Sequence, residues 1–144
     1  MADTASLTIS IAAPLERCWH LATDFERYPE WATDVKSAVV QSRDDQGRAT
    51  EVEFRTSALG RSTHYSLVYD YSAAPHRLAW RMAKGDIMRA VDGAYMFAPS
   101  ESGGVVLTYN LSIDLIVPLP GFVKRRAEQR ILDTVKELKA RAES

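Results

Sequence analysis

Tyr65, Tyr69, Trp80, Tyr95 and Tyr109 are the residues of this sequence best suited to chemistry. They lie in segments where apolar and polar residues alternate, and within each segment they hold the apolar parity. That period of two predicts all five on one face of a sheet, together with Phe54 and Thr56. Buried Tyr and Trp need partners for their O–H and N–H groups. Two readings follow. In one, these residues line a cavity with an apolar wall and a few hydrogen-bonding tips, the usual make-up of a small-molecule site. In the other, they are core, with tips bonded to backbone or emerging at the sheet edge. Arg89 shares parity with Val91 and Tyr95. Turned inward, it would bind a carboxylate or polarise a carbonyl. Lying close to a hairpin at Gly85, it would otherwise sit at a frayed strand start. Arg55, Arg77 and Arg81 have the opposite parity and are expected to face water.

Other chemistries find less support. His20, His64 and His76 form no pair at helix or strand spacing, so no metal site is expected. Cys18 is the single cysteine, which excludes an internal disulfide and a cysteine zinc cluster, and its place on an apolar helix face reads as core. Neither a G-x-S-x-G elbow nor a G-x-x-x-x-G-K-[ST] phosphate loop is present. Asp24 and Asp114 have no evident partner carboxylate. Tyr28, Pro29 and Trp31 either border the mouth of a pocket or staple short helices to the sheet. Leu119 and Phe122, at the start of the last helix, are candidates for the same mouth. Lys124, Arg125 and Arg126 either meet lipid head groups or form the solvated start of that helix.

The elements that must position these residues can be read in order. Leu7, Ile9 and Ile11 alternate with Thr8 and Ser10, which predicts a strand. Pro14 stands at a first-turn position, and Leu15, Cys18, Trp19, Ala22 and Phe25 recur at helical spacing to about Asp24. Pro29 disfavours a long second helix, so a short or broken one is expected. From Val35 the pattern is strand. Turns are expected at 44–47, at Gly60, at 74–76, at 84–86 and at 99–104. The inner face is expected to carry Phe54, Thr56, Tyr65, Leu67, Tyr69, Trp80, Tyr95, Phe97, Leu107, Tyr109, Leu111 and Ile113. Six such strands in succession make an antiparallel meander, and the first strand brings the sheet to about seven. After Pro118, Leu119, Pro120, Gly121 and Phe122, the chain runs to its end without Pro or Gly. There Val123, Ala127, Ile131, Val135, Leu138 and Ala142 form one apolar stripe. Such a helix needs a partner for that stripe, and the sheet supplies it.

The 144 residues are enough for one domain with a substantial core. A formal net charge of −1 gives no electrostatic case for a nucleic-acid partner or for an anionic membrane. Hydrophobic content of 46% with 26% charged residues fits an ordinary soluble protein. The amino-terminal segment has no signal-peptide pattern, and no stretch approaches the ~18 apolar residues of a membrane span. The expected location is therefore cytoplasmic, without stable membrane insertion.

The order strand, two short helices, six strands, long helix resembles the α+β helix-grip fold of the START-like (SRPBCC, Bet v 1-like) superfamily. Within it, the sequence is most similar to the polyketide cyclase/dehydrase and coenzyme Q-binding, lipid-transport group. Three segments carry the resemblance: Ile11-Ala12-Ala13-Pro14-Leu15-Glu16-Arg17-Cys18-Trp19, the D-x-x-x-Y-P-x-W run from Asp24 to Trp31, and Pro118-Leu119-Pro120-Gly121-Phe122 ahead of a basic helix start. The match covers nearly the whole chain, implying a single ligand-binding domain over residues 1–144. It implies a curved, seven-stranded sheet wrapped around the last helix, and an apolar ligand between them: a polyketide, an isoprenoid quinone or an acyl lipid. The residues expected to line that site are Trp31, Phe54, Thr56, Tyr65, Tyr69, Trp80, Arg89, Tyr95, Tyr109 and Phe122. No cofactor is expected, and the state is monomer or homodimer. The superfamily also contains aromatase/cyclases and a ribosome-association toxin, so a polyketide cyclase/dehydratase and a protein-interaction module remain as alternatives. Membership implies a pocket rather than a reaction.

Overall fold

The computed structural model describes residues 3–58, 61–86, 88–116 and 120–144. The turn expected at Gly60, residues Pro118 and Leu119, and the side chains of Leu115, Val123, Lys124 and Ala127 lie outside the described residues. Strand β1 (Asp3–Ile11) leads into helix α1 (Leu15–Thr23) and a 3-10 turn (Phe25–Glu30). Six strands follow: β2 (Val35–Arg43), β3 (Ala49–Ala58), β4 (Arg61–Asp70), β5 (Arg77–Gly85), β6 (Met88–Pro99) and β7 (Val105–Leu115). Helix α2 (Gly121–Glu143) completes the chain.

The strands form one antiparallel sheet in the order β1-β7-β6-β5-β4-β3-β2. Short connections make each strand pair with the next, and β1 closes against β7. The β2–β3 turn shows how sequence fixes such a connection. Asp44 accepts backbone N–H bonds from Gln46 and Arg48, both at 2.9 Å, and Gly47 takes the left-handed φ of 81° that this turn requires.

Helix α1 starts behind Pro14, whose carbonyl accepts from Arg17 and Cys18 N–H groups. Pro14 is the capping residue, one position before the first turn in which the sequence pattern placed it. Pro29 sits inside the six-residue 3-10 turn, so the second helix is as short as its sequence requires.

The register gives the expected inner face. Phe54 opposes Tyr65, Tyr69 opposes Trp80, and Tyr95 opposes Tyr109. All the expected inner residues are buried, except for half-buried Thr56, Tyr65 and Ile113. Glu53, Arg55, Arg77 and Arg81 are exposed on the other face. The parity fails at the start of β6, where the pairing slips between Met88 and Ala90. This bulge turns Met88 inward and Arg89 out, a shift of face that one extra strand residue produces.

Helix α2 is anchored through its second half. Val135, Leu138 and Ala142 are buried, and Ile131 and Leu132 pack against the core. Polar ties hold the same end. Arg17 donates from Nε to the Ala142 carbonyl (2.7 Å) and from Nη2 to the Arg141 carbonyl (2.9 Å), satisfying acceptors that a helix C-terminus leaves open. Lys139 Nζ reaches the Ser10 carbonyl at 2.8 Å, and the Ala12 N–H reaches Glu143 at 2.8 Å. Arg130 pairs with Asp34.

Candidate functional site

The concave face of the sheet gathers an aromatic cluster from its strands and the 3-10 turn. Ring centroids of Trp80 and Tyr95 are 5.1 Å apart, of Tyr95 and Tyr109 5.2 Å, and of Trp80 and Tyr109 5.7 Å. Tyr69 lies 6.1 Å from Trp80 and 4.4 Å from Phe25. Phe25 continues to Tyr28, and Tyr28 to Phe54, which stacks on Tyr65. These spacings lie in the range where offset and edge-to-face contacts are favourable. Gly93, opposite Trp80 across the β5–β6 pair, makes the arrangement possible: a Cβ there would lie 2.6 Å from the Trp80 ring.

The cluster is deep, yet not sealed. Trp80 retains 7% of its surface, and Tyr69 and Tyr109 each retain 8%. Leu78 and Leu107 on neighbouring strand positions retain none. Among the described residues, the hydroxyls of Tyr69 and Tyr109 and the indole N–H of Trp80 have no protein acceptor, and no side-chain polar atom is both fully occluded and unpartnered. Their polar tips therefore border accessible space. Tyr28 differs, because its hydroxyl donates to the Ala22 carbonyl at 2.5 Å.

The electrostatics follow from burial. Desolvation, with neighbouring tyrosines, holds Tyr28, Tyr69 and Tyr109 well above the usual phenol range. Burial pushes Tyr65 up to about 12, partly offset by Thr56, and Tyr95 up to about 12, partly offset by Tyr28. All five are neutral hydrogen-bond donors across the physiological range. At the edge of this face the Thr63 hydroxyl donates to the Asp86 carboxylate at 2.5 Å, and no cluster of possible metal ligands occurs among the described residues. The arrangement can hold an apolar body and donate to carbonyl or hydroxyl oxygens.

The structure brings together Phe54, Thr56, Tyr65, Tyr69, Trp80, Tyr95 and Tyr109 from the residues singled out in the sequence. It corrects Arg89, which is 63% exposed and lies 3.8 Å from Asp114 on the outer side. The bulge at Met88 and Ala90 is the reason. Trp31 is half-buried against Tyr28, with ring centroids 4.8 Å apart, and lines an outer groove beside α1. Phe122 is 62% exposed at the start of α2. Pro29 is exposed. Phe25 and Tyr28 are the members that parity along strands missed. Their signal is the continuation of the α1 stripe through Cys18, Ala22 and Phe25. Cys18 is core, as expected, and burial raises its thiol pKa.

A curved antiparallel sheet closed by a long C-terminal helix, with two short helices after the first strand, defines a START-like, helix-grip protein. Residues 3–143 match the family described as polyketide cyclase / dehydrase and lipid transport, and the chain belongs to that family. The solved structures agree on the fold. A START superfamily protein from Mycobacterium smegmatis superposes with a TM-score of 0.88 at 23% identity, covering 97% of each chain. A protein from Thermus thermophilus gives 0.83 at 20% identity, again over 97% of each chain. The Zhui aromatase/cyclase of Streptomyces sp. R1128 gives 0.84 at 12% identity, over 99% of this chain and 94% of that one. At these identities the likeness is one of fold. No curated protein matches the sequence. Among the described residues, no helix is long and apolar enough to cross a membrane.

Proposed function

We propose that the chain, acting as one ligand-binding domain, holds an apolar small molecule between the concave face of the sheet and α2 as a carrier or chaperone. Polyketides, isoprenoid quinones and acyl lipids are the ligand classes. The observation that carries this reading is the set of donor tips on Tyr69, Trp80 and Tyr109. They lack protein acceptors among the described residues and keep accessible surface amid an otherwise closed aromatic core. A ligand with an apolar body and oxygen acceptors would complement both properties.

A second reading, a polyketide cyclase/dehydratase, is favoured by the same donors, because a phenol aimed at a carbonyl stabilises a developing enolate. It is disfavoured by the lack of an ionisable base within the aromatic cluster itself, the Asp86 carboxylate at the edge of the face being engaged by the Thr63 hydroxyl and the His64 N–H, which leaves positioning as the main source of rate.

Tyr109→Phe separates the two, since it removes one hydroxyl and keeps the ring. A carrier should lose affinity by the ~0.5–1.5 kcal/mol of a typical net hydrogen bond. A cyclase should lose product formation far more than binding. The assay titrates wild type and variant with a quinone and with a linear polyketone, following indole emission and analysing products. Saturable binding without turnover supports the carrier. Turnover that collapses in the variant while binding persists supports the cyclase. Failure of every apolar probe to bind removes both and favours the interaction module.

A further inference from the structure

Away from the concave face, Arg17, His20, Asp24, Arg27, Trp31 and Arg141 line an open groove of ≈ 170 Å³. It lies where α1, the 3-10 turn and the last turns of α2 meet. Three guanidinium groups face one carboxylate. Each guanidinium keeps donors with no protein partner among the described residues. Arg17 engages the two helix-terminal carbonyls through Nε and Nη2, which leaves Nη1. Arg141 donates through Nη2 to Glu30 at 2.9 Å, outside the groove. Arg27 is held only by a 3.5 Å contact between its Nε and Asp24, whose same oxygen lies 3.7 Å from His20. Trp31 supplies a flat apolar wall, steadied from behind by Tyr28.

We propose that this groove is a second binding site, for a small oxyanion carried on an aromatic ring. Guanidinium forks recognise the oxygens of a carboxylate or phosphate, and their planes and the indole favour a flat ring. Two of the three guanidiniums are fixed by contacts to helix α2 and Glu30, so little ordering opposes binding. The volume is below the ~300–1,000 Å³ of pockets for drug-sized ligands, which limits the guest to about one ring with one anionic group. Tying α2 to α1 accounts for Arg17, and tying α2 to the 3-10 turn accounts for Arg141. It does not account for Arg27, whose only partner among the described residues is Asp24 in the same groove.

The test follows the indole N–H resonances of Trp19, Trp31 and Trp80 in the intact chain, with Trp31→Phe fixing the assignment. Phenyl phosphate, benzoate, inorganic phosphate and benzylamine are titrated separately at constant ionic strength. The expected result is a saturable shift at Trp31, with millimolar affinity, for phenyl phosphate or benzoate. Whichever binds tighter identifies the anionic group. Inorganic phosphate should bind more weakly, and benzylamine should not bind. Arg27→Gln should weaken the aryl anion about tenfold, as loss of a charge-assisted hydrogen bond does, without lowering Tm. The proposal is overturned by any of three outcomes: no saturable Trp31 shift, a response confined to Trp80, or equal affinity in the Arg27→Gln protein. Equal binding of inorganic and phenyl phosphate would overturn the role of the ring.

Discussion

Gly93→Ala tests whether the aromatic cluster is built as described. A Cβ at position 93 would lie 2.6 Å from Trp80 Cζ2 and 2.6 Å from the Asn110 carbonyl oxygen, about 0.8 Å inside ordinary contact with each. The carbonyl belongs to β7, which is paired along its length with β1 and β6, so it cannot recede alone. The indole must move, and its neighbours Tyr95 and Tyr109 leave it little room. Overpacking of this kind costs about 1–3 kcal/mol. Against that, Ala gains roughly 0.5–1 kcal/mol over Gly in a strand, because less backbone entropy is lost on folding. The net is a destabilisation of up to about 2.5 kcal/mol, or a Tm lower by up to roughly 8 °C for a chain of this size. Urea unfolding gives the free energy, and native-state indole emission reports the displaced Trp80. A variant as stable as wild type with unchanged emission would show that Trp80 does not lie across Gly93, and the account of the site would fail with it.

The remaining expectations concern the core and its titration. Leu138→Asp should destabilise by roughly 3–5 kcal/mol in chemical denaturation, since Leu138 is fully buried and the new carboxylate would have no partner. Phe54→Ala and Leu111→Ala should each cost about 2–5 kcal/mol, whereas Glu53→Ser and Arg81→Ser should stay within about ±0.5 kcal/mol, and reversed sensitivities would place the register off by one residue. All six tyrosines have raised pKa values, with Tyr65, Tyr71 and Tyr95 at about 12. The folded chain therefore holds more protons than the unfolded one above the ordinary phenol pKa of ~10, so stability is full below pH ~10 and falls as pH rises toward 12. Absorbance at tyrosinate wavelengths should appear only together with loss of the fold. Gradual ionisation of a still-folded protein near pH 10 would contradict the burial of the cluster.

Most of the fold was legible because its rules are local. Period-two alternation from Val35 to Leu115 assigned the strands and their inner face, and Pro14, Pro29 and the 44–47 turn residues placed the breaks. What the pattern could not carry was anything that changes the count. The Met88/Ala90 bulge is set by pairing between β6 and β7, and one slip moved Arg89 from the inner face to water. Trp31 shows a second limit. Its aromatic neighbourhood was plain in the sequence, but which side of the 3-10 turn it covers depends on where α2 ends. Helix geometry could have placed Phe25 in the cluster, since it follows Cys18 and Ala22 on the buried stripe of α1. Gly93 gave no signal of its own, because the ring that needs its missing side chain lies thirteen residues earlier on another strand.

The chemistry of the concave face narrows what a molecule held there must supply. Within the aromatic cluster the polar tips are phenols and an indole N–H, and burial keeps the phenols protonated. A carboxylate or phosphate guest would be desolvated against groups that carry no compensating charge, which is costly. An ammonium guest would find no carboxylate within the aromatic cluster, since the Asp86 carboxylate at its edge is engaged by the Thr63 hydroxyl and the His64 N–H. A neutral guest with carbonyl or hydroxyl oxygens meets neither penalty and provides the acceptors that Tyr69, Trp80 and Tyr109 lack. The guanidinium groups that would suit an anion lie instead on the outside, at the clasp between α1 and α2. The two regions thus differ in charge as well as position, and each should reject what the other binds.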